Sequence, residues 1–199
     1  MIEVEIKVKI SNPEQMRKQF KEYNGIYKLS LIHEDTYFNM PIGLRNFKKT
    51  DEALRLRKSI EFNKYKKDKN QKIAYCLTYK GKKIDNTTKT REELEVKIDN
   101  LDKMRELLKN LGFKEIFTIK KERELYEFVF NNFHIDALID YIPILNQHFI
   151  EVEVLSETQN NLESTKNKLF EFLGHFGISQ QESIRESYLE LIAKKLNLS

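Results

Sequence analysis

The stretch Ile2-Glu3-Val4-Glu5-Ile6-Lys7-Val8-Lys9-Ile10 alternates apolar and charged residues without a break. Successive side chains of a strand point to opposite faces, so the isoleucines and valines share one face while Glu3, Glu5, Lys7 and Lys9 share the other. This predicts a strand with one apolar and one fully charged face. The stretch also has no uninterrupted apolar run, so it does not read as a secretory signal.

Working outward, Ser11-Asn12-Pro13-Glu14 supplies capping residues and a first-turn proline, predicting a helix to about Tyr23. Strands are expected over Tyr27–Met40, Ala53–Phe62, 73–80 (stopped by Gly81) and Thr88–Ile98. Asn100–Leu111 has helical apolar spacing and ends at Gly112. Strands resume over 113–121, 123–131, 133–141 and 147–155, with Asn131-Asn132 marking a tight hairpin. Two helices, about 158–175 and 182–197, finish the chain, the second introduced by the box Ser179-Gln180-Gln181-Glu182. The expected fold is α+β: a single domain over 1–199, mostly antiparallel, with roughly eight strands closing a barrel.

The charged faces recur. Glu3, Glu5 and Lys7 are followed at i, i+2 spacing by Arg55 and Arg57, Thr78 and Lys80, Arg91, Glu93 and Glu95, Lys121 and Arg123, Asp136 and Asp140, and Glu151 and Glu153. A solvated sheet face explains any one such strand. The whole series, with apolar residues on the opposite faces and amphipathic helices needing cover, favours helices outside and a charged, wet interior. Enclosing that many charges is costly unless they are paired or liganded. A ligand carrying phosphates and metal cations satisfies both signs. Arginine forks bind phosphate oxygens bidentately, and carboxylates two apart on a strand can share a hard cation such as Mg²⁺ or Mn²⁺.

Bulk properties agree. The 40% hydrophobic and 33% charged content reads as soluble and ordered, and a net charge of +4 suits a small anion while arguing weakly for nucleic acid. The basic segment Lys64–Lys69 reads as a polar loop. No apolar run approaches the ~20 residues of a membrane span, and Cys76, the only cysteine, forms no intrachain disulfide. A soluble cytoplasmic protein is expected. No Walker A sequence or glycine-rich dinucleotide fingerprint is present, and the four histidines show no ligand spacing.

In chain order these residues resemble the CYTH superfamily of triphosphate tunnel metalloenzymes, in particular its class IV adenylyl cyclase branch. Glu3-Val4-Glu5-Ile6-Lys7 matches the ExExK signature, Asp35-Thr36-Tyr37-Phe38 a D-x-Y-F stretch, and Leu54-Arg55-Leu56-Arg57 a paired-arginine strand. Leu77-Thr78-Tyr79-Lys80-Gly81, Arg91-Glu92-Glu93-Leu94-Glu95, Lys121-Glu122-Arg123, Ile150-Glu151-Val152-Glu153 and Ser187-Tyr188-Leu189 continue the series. Asn146 stands where the family usually has glycine, and Lys82 where proline often follows Lys-Gly.

The resemblance implies that Glu3, Glu5, Glu151 and Glu153 bind metal, with Asp140 as a further acidic group. Lys7, Arg55, Arg57, Lys80, Arg91, Lys121 and Arg123 would hold the triphosphate, and Lys7, Arg57, Lys80 and Arg123 are the catalytic candidates among them. Glu93, Glu95 and Asp136 would hold a second metal or orient the basic groups. The implied activity is either adenylyl cyclase or triphosphatase, with non-catalytic polyphosphate or nucleotide binding as the alternative of another kind. Family analogy further implies a homodimer.

Overall fold

The computed structural model describes residues 2–66, 70–156 and 161–197. Residues 67–69 of the basic loop and 158–160 of the expected penultimate helix lie outside them. The strands are β1 (Ile2–Ile10), β2 (Ile26–Asn39), β3 (Ala53–Phe62), β4 (Lys72–Lys80), β5 (Arg91–Ile98), β6 (Lys114–Phe130), β7 (Phe133–Ile142) and β8 (Gln147–Ser156). The helices are α1 (Pro13–Glu22), α2 (Phe47–Thr50), α3 (Leu101–Asn110), α4 (Leu162–Gly174) and α5 (Tyr188–Lys195). The strands close into an antiparallel barrel in the order β1-β5-β4-β3-β2-β6-β7-β8.

Alternation along β1 sets the barrel's polarity. Val4, Ile6 and Val8 face outward into a core with Met16 and Phe20 of α1 and Leu169, Phe172 and Leu173 of α4. Full burial of each large apolar side chain there is worth about 1.5–3 kcal/mol. Leu54 and Leu56 of β3 make a second outer core with Phe47 of α2 and Leu108 of α3. The helices therefore lie outside and the charged residues inside, as the alternation predicts.

A third cluster stands on the inner side. Ile119, Ile142 and Phe149 share strand parity with Lys121, Asp140 and Glu151, and they pack against Tyr188 and Ile192 of α5. The C-terminal helix thus covers part of one end of the lumen.

Three sequence expectations shift. Lys114–Phe130 form one 17-residue strand, β6, where two were expected, over 113–121 and 123–131. Lys120-Lys121-Glu122-Arg123 contains no breaker; it simply alternates, with Lys121 and Arg123 buried inside and Lys120 and Glu122 exposed outside. The last helix starts at Tyr188, not residue 182, under a second capping box formed by Ser187 and Glu190. The Ser179–Glu182 box caps only a 3-10 turn, because the chain after it runs extended along β1, bridging Val8 with Ser183. Finally, β5 begins at Arg91 rather than Thr88.

That late start follows from the barrel's seam. β1 and β5 pair only at Ile2↔Glu92 and Glu3↔Arg91. Beyond this the free carbonyls of β1 accept from elsewhere: Glu5 O from Lys89 N at 3.0 Å and Lys7 O from Ile184 N at 2.7 Å. A buried strand edge needs such partners, and here the loop before β5 and the segment before α5 supply them. At the hairpins, Asn131 and Asn132 have φ of 48° and 63°, as a primed turn requires, and Asn146 takes φ of 50° in place of glycine.

Candidate active site

One cavity of about 980 Å³ runs into the lumen. Glu3, Glu5, Arg55, Arg57, Lys80, Arg91, Glu93, Glu95, Lys121, Arg123, Glu151 and Glu153 all line it. These residues come from β1, β3, β4, β5, β6 and β8, so the topology brings side chains far apart in sequence around one cavity.

The cationic side is partly committed to carboxylates. Arg57 donates Nε and Nη2 to the two oxygens of Asp35 at 2.6 and 2.8 Å. Arg123 grips Asp140 in the same forked way at 2.8 and 2.7 Å, and its Nη2 also reaches Glu151 Oε2 at 2.5 Å. Lys80 pairs with Glu93. Arg55 donates to Thr78 Oγ1 at 3.0 Å, and that hydroxyl donates in turn to Glu95 Oε2 at 2.9 Å. Arg55 Nε is buried without a partner. Among the described residues, Lys121 and Arg91 have no carboxylate within 4.0 Å. Burial, then the Arg123 and Arg57 charges, push the Lys121 ammonium down to about 8. A cation so destabilised is one that an anion would relieve.

The acidic side is crowded and only partly paired, with Lys89 bonded to Glu5 and Arg123 at 3.7 Å from Glu153. Glu3, Glu5 and Glu153 each offer a ligand oxygen, all within 4.8 Å of one another. Burial, followed by the Glu151 charge, raises the Glu5 carboxyl to about 7. Burial and Glu3 hold that of Glu153 well above the usual carboxylate range. Three hard oxygen donors that resist ionising together suit a divalent cation such as Mg²⁺ or Mn²⁺. Glu151 stands apart: Lys89 takes Oε1 at 2.8 Å and Arg123 takes Oε2. Although burial disfavours its charge, Lys89 and Arg123 hold it well below its ordinary pKa.

Three expected site residues do not line the cavity. Lys7 is fully buried beneath its wall, donating to the Glu186 carbonyl, with Nζ 4.3 Å from the centre of the Tyr188 ring. Burial, then the Lys89 charge, push its ammonium down to about 7. Asp140 is fully buried between Arg123 and the Tyr188 hydroxyl, the latter donating at 2.9 Å. Asp136 is exposed, opposite Glu153 on β8 and Glu127 on β6.

The sequence reading missed Lys89, Tyr188 and Asp35 as members of the site. Lys89 has a signal in hindsight, since it keeps the parity of Arg91 and Glu93 by two residues. Asp35 and Tyr188 sit inside motifs already singled out, but their roles as partners of Arg57 and Asp140 depend on contacts between strands. His33, expected to be structural, is buried in the lumen, where burial and then Arg57 keep it neutral.

A charged tunnel inside a closed antiparallel barrel, with an acidic trio beside arginines and lysines, has the chemistry to take an anion together with a hard cation. In comparison with known proteins, residues 1–188 match the CYTH domain, and the chain belongs to that family. It is 41% identical over 192 residues, 96% of this chain and 98% of the relative, to the Methanocaldococcus jannaschii protein named "Putative adenylate cyclase". A solved structure from Pyrococcus horikoshii OT3 superposes with a TM-score of 0.82 at 36% identity, covering 97% of this chain and 99% of that one. A Hippeastrum protein, named "Putative adenylyl cyclase" and described as revealing a dominant triphosphatase activity, shares the fold, with a TM-score of 0.64 at 17% identity over 97% of this chain and 96% of its own.

Proposed function

We propose that the chain is a metal-dependent adenylyl cyclase that converts ATP to 3′,5′-cyclic AMP and pyrophosphate. The observation carrying this reading is the convergence, in one cavity, of three mutually repelling carboxylates and of two cations, Arg91 and Lys121, that lack carboxylate partners among the described residues. Arg55, Arg91 and Lys121 have donors to give to phosphate oxygens, with Arg57, Lys80 and Arg123 fixed beside them. Glu3, Glu5 and Glu153 would hold a divalent ion. Such an ion, when bound, offsets negative charge on phosphoryl oxygens. The name borne by the Methanocaldococcus relative supports this choice of reaction.

In the reaction the 3′-hydroxyl oxygen bonds to the α-phosphorus as that atom's bond to the α,β-bridging oxygen breaks. Pyrophosphate leaves and the hydroxyl proton passes to water. The protein's part is positioning and preorganised charge. Arg57 and Arg123 are locked by bidentate carboxylates, so their remaining donors face the ligand with little reorganisation.

A second reading uses the same cradle. If water reaches the terminal phosphorus, the outcome is triphosphate hydrolysis, the activity described as dominant in the Hippeastrum protein. Incubation with Mg²⁺ or Mn²⁺ and ATP, or tripolyphosphate, separates the readings by product. Cyclic AMP plus pyrophosphate supports the cyclase and orthophosphate the triphosphatase. Binding without turnover leaves a non-catalytic polyphosphate or nucleotide binder.

A further inference from the structure

β1 and β8 bring four glutamates together in register, with Glu5 opposite Glu153 and Lys7 opposite Glu151. Three of them group as the acidic trio, and Glu151 does not. What separates it is Lys89, which enters the lumen through the seam where β5 departs from β1. Its Nζ bonds both Glu5 Oε1 and Glu151 Oε1. The remaining Glu151 oxygen belongs to Arg123.

Lys89 is fixed in this place. It is only 8% exposed, and its own N–H donates to the Glu5 carbonyl. The flanking Thr88 and Thr90 hydroxyls bond each other at 2.7 Å, while Asp85 gathers the Thr87 and Thr88 N–H groups at 2.7 Å each. Lys166 of α4 bonds the Asp85 carboxylate at 3.1 Å, and Arg185 and Ser183 bond the carbonyls of Asp85 and Thr87 at 2.9 and 2.7 Å. An ammonium bridging two buried carboxylates offsets their repulsion as a bridging metal ion would.

We propose that Lys89 is a built-in counter-ion, a positioning residue in the bridging place between Glu5 and Glu151, so that the substrate-free chain takes a single divalent ion on Glu3, Glu5 and Glu153. Glu151 is then a partner of Lys89 and Arg123, not a ligand. The proposal rests on the metal reading given under the proposed function, and it gives the reason why only three of the four glutamates implied by the family resemblance serve as ligands.

The test is a Mn²⁺ titration of the full chain without nucleotide, followed by the electron paramagnetic resonance signal of free Mn²⁺. The expected result is one ion per chain. Glu153→Gln should weaken it by about tenfold or more, as loss of a direct ligand would, while Glu151→Gln shifts it by less than about threefold. Lys89→Met should open a second, weaker site, and Lys89→Arg should keep one ion. Two ions on the unaltered chain, an equal loss in Glu151→Gln and Glu153→Gln, or a single ion in a folded Lys89→Met variant would each overturn the proposal. If Lys89→Met does not fold, the unaltered stoichiometry and the two glutamine variants still decide it. No Mn²⁺ binding at all would defeat the metal reading itself, a different failure.

Discussion

The two sides of the lumen handle charge in opposite ways. On one, Arg57–Asp35 and Arg123–Asp140 are bidentate pairs, and Arg123 also bonds Glu151. On the other, Glu3, Glu5 and Glu153 crowd together with only partial pairing, Lys89 on Glu5 and Arg123 at 3.7 Å from Glu153, while Lys121, beside Arg123 and Arg57, faces the cavity without a carboxylate. The first arrangement is scaffold and the second is an invitation to ligands, although both use the same residue types. Pairing state, more than residue identity, distinguishes a structural charge from a functional one inside this barrel.

The largest expected effect lies on the paired side. Asp140→Ala leaves Arg123 short of its bidentate partner and strips the Tyr188 hydroxyl of its acceptor, so chemical denaturation should show a loss of about 3–5 kcal/mol. A loss under about 1 kcal/mol would place Asp140 with the ligand-seeking groups. The unpaired side should behave oppositely. Glu3→Gln is expected to keep or raise the melting temperature, because it removes a repelling charge, while metal-dependent turnover falls by about 100-fold or more. A destabilised Glu3→Gln with intact turnover would reverse the assignment.

Next in size is a pH window for binding. Metal requires the Glu5 carboxylate, whose pKa is raised to about 7, so affinity should fall below that pH as protons compete. Triphosphate favours the Lys121 ammonium, pushed down to about 8, so its affinity should fall above that pH as the charge is lost. Each limb should approach tenfold per pH unit if one proton is involved. Calorimetric titrations of Mn²⁺ and tripolyphosphate at several pH values check this, and two flat profiles would refute it. The smallest effect belongs outside the barrel. Lys120 and Glu34 form an exposed pair at 3.2 Å, and Glu34→Gln should change stability by about 0–1 kcal/mol.

How much of this is legible in the sequence depends on the range of the interaction. Strand parity is local, so the alternation of Ile2–Ile10 and of Lys120–Arg123 reveals the inner and outer faces directly. With helices in need of apolar cover, it also reveals the inside-out barrel. Closure at the seam is not local. Lys89 sits in a polar run and gains its role only because β5 leaves β1 early, opening a gap that places its ammonium between Glu5 and Glu151. The same seam draws residues 183–184 into an extended path and delays the last helix to Tyr188, against a capping box that by itself announces a helix earlier. Lys7 shows the converse: its motif marks it as a ligand contact, while the Glu186 carbonyl and the Tyr188 ring take it under the wall.

The central claim is that the carboxylate trio and the unpaired cations form one site rather than two. It is tested most directly by measuring tripolyphosphate affinity by calorimetry with Mn²⁺ and with a chelator. One site predicts that each ligand tightens the other by the same factor, about tenfold or more. Equal tripolyphosphate affinity in both conditions would contradict the account.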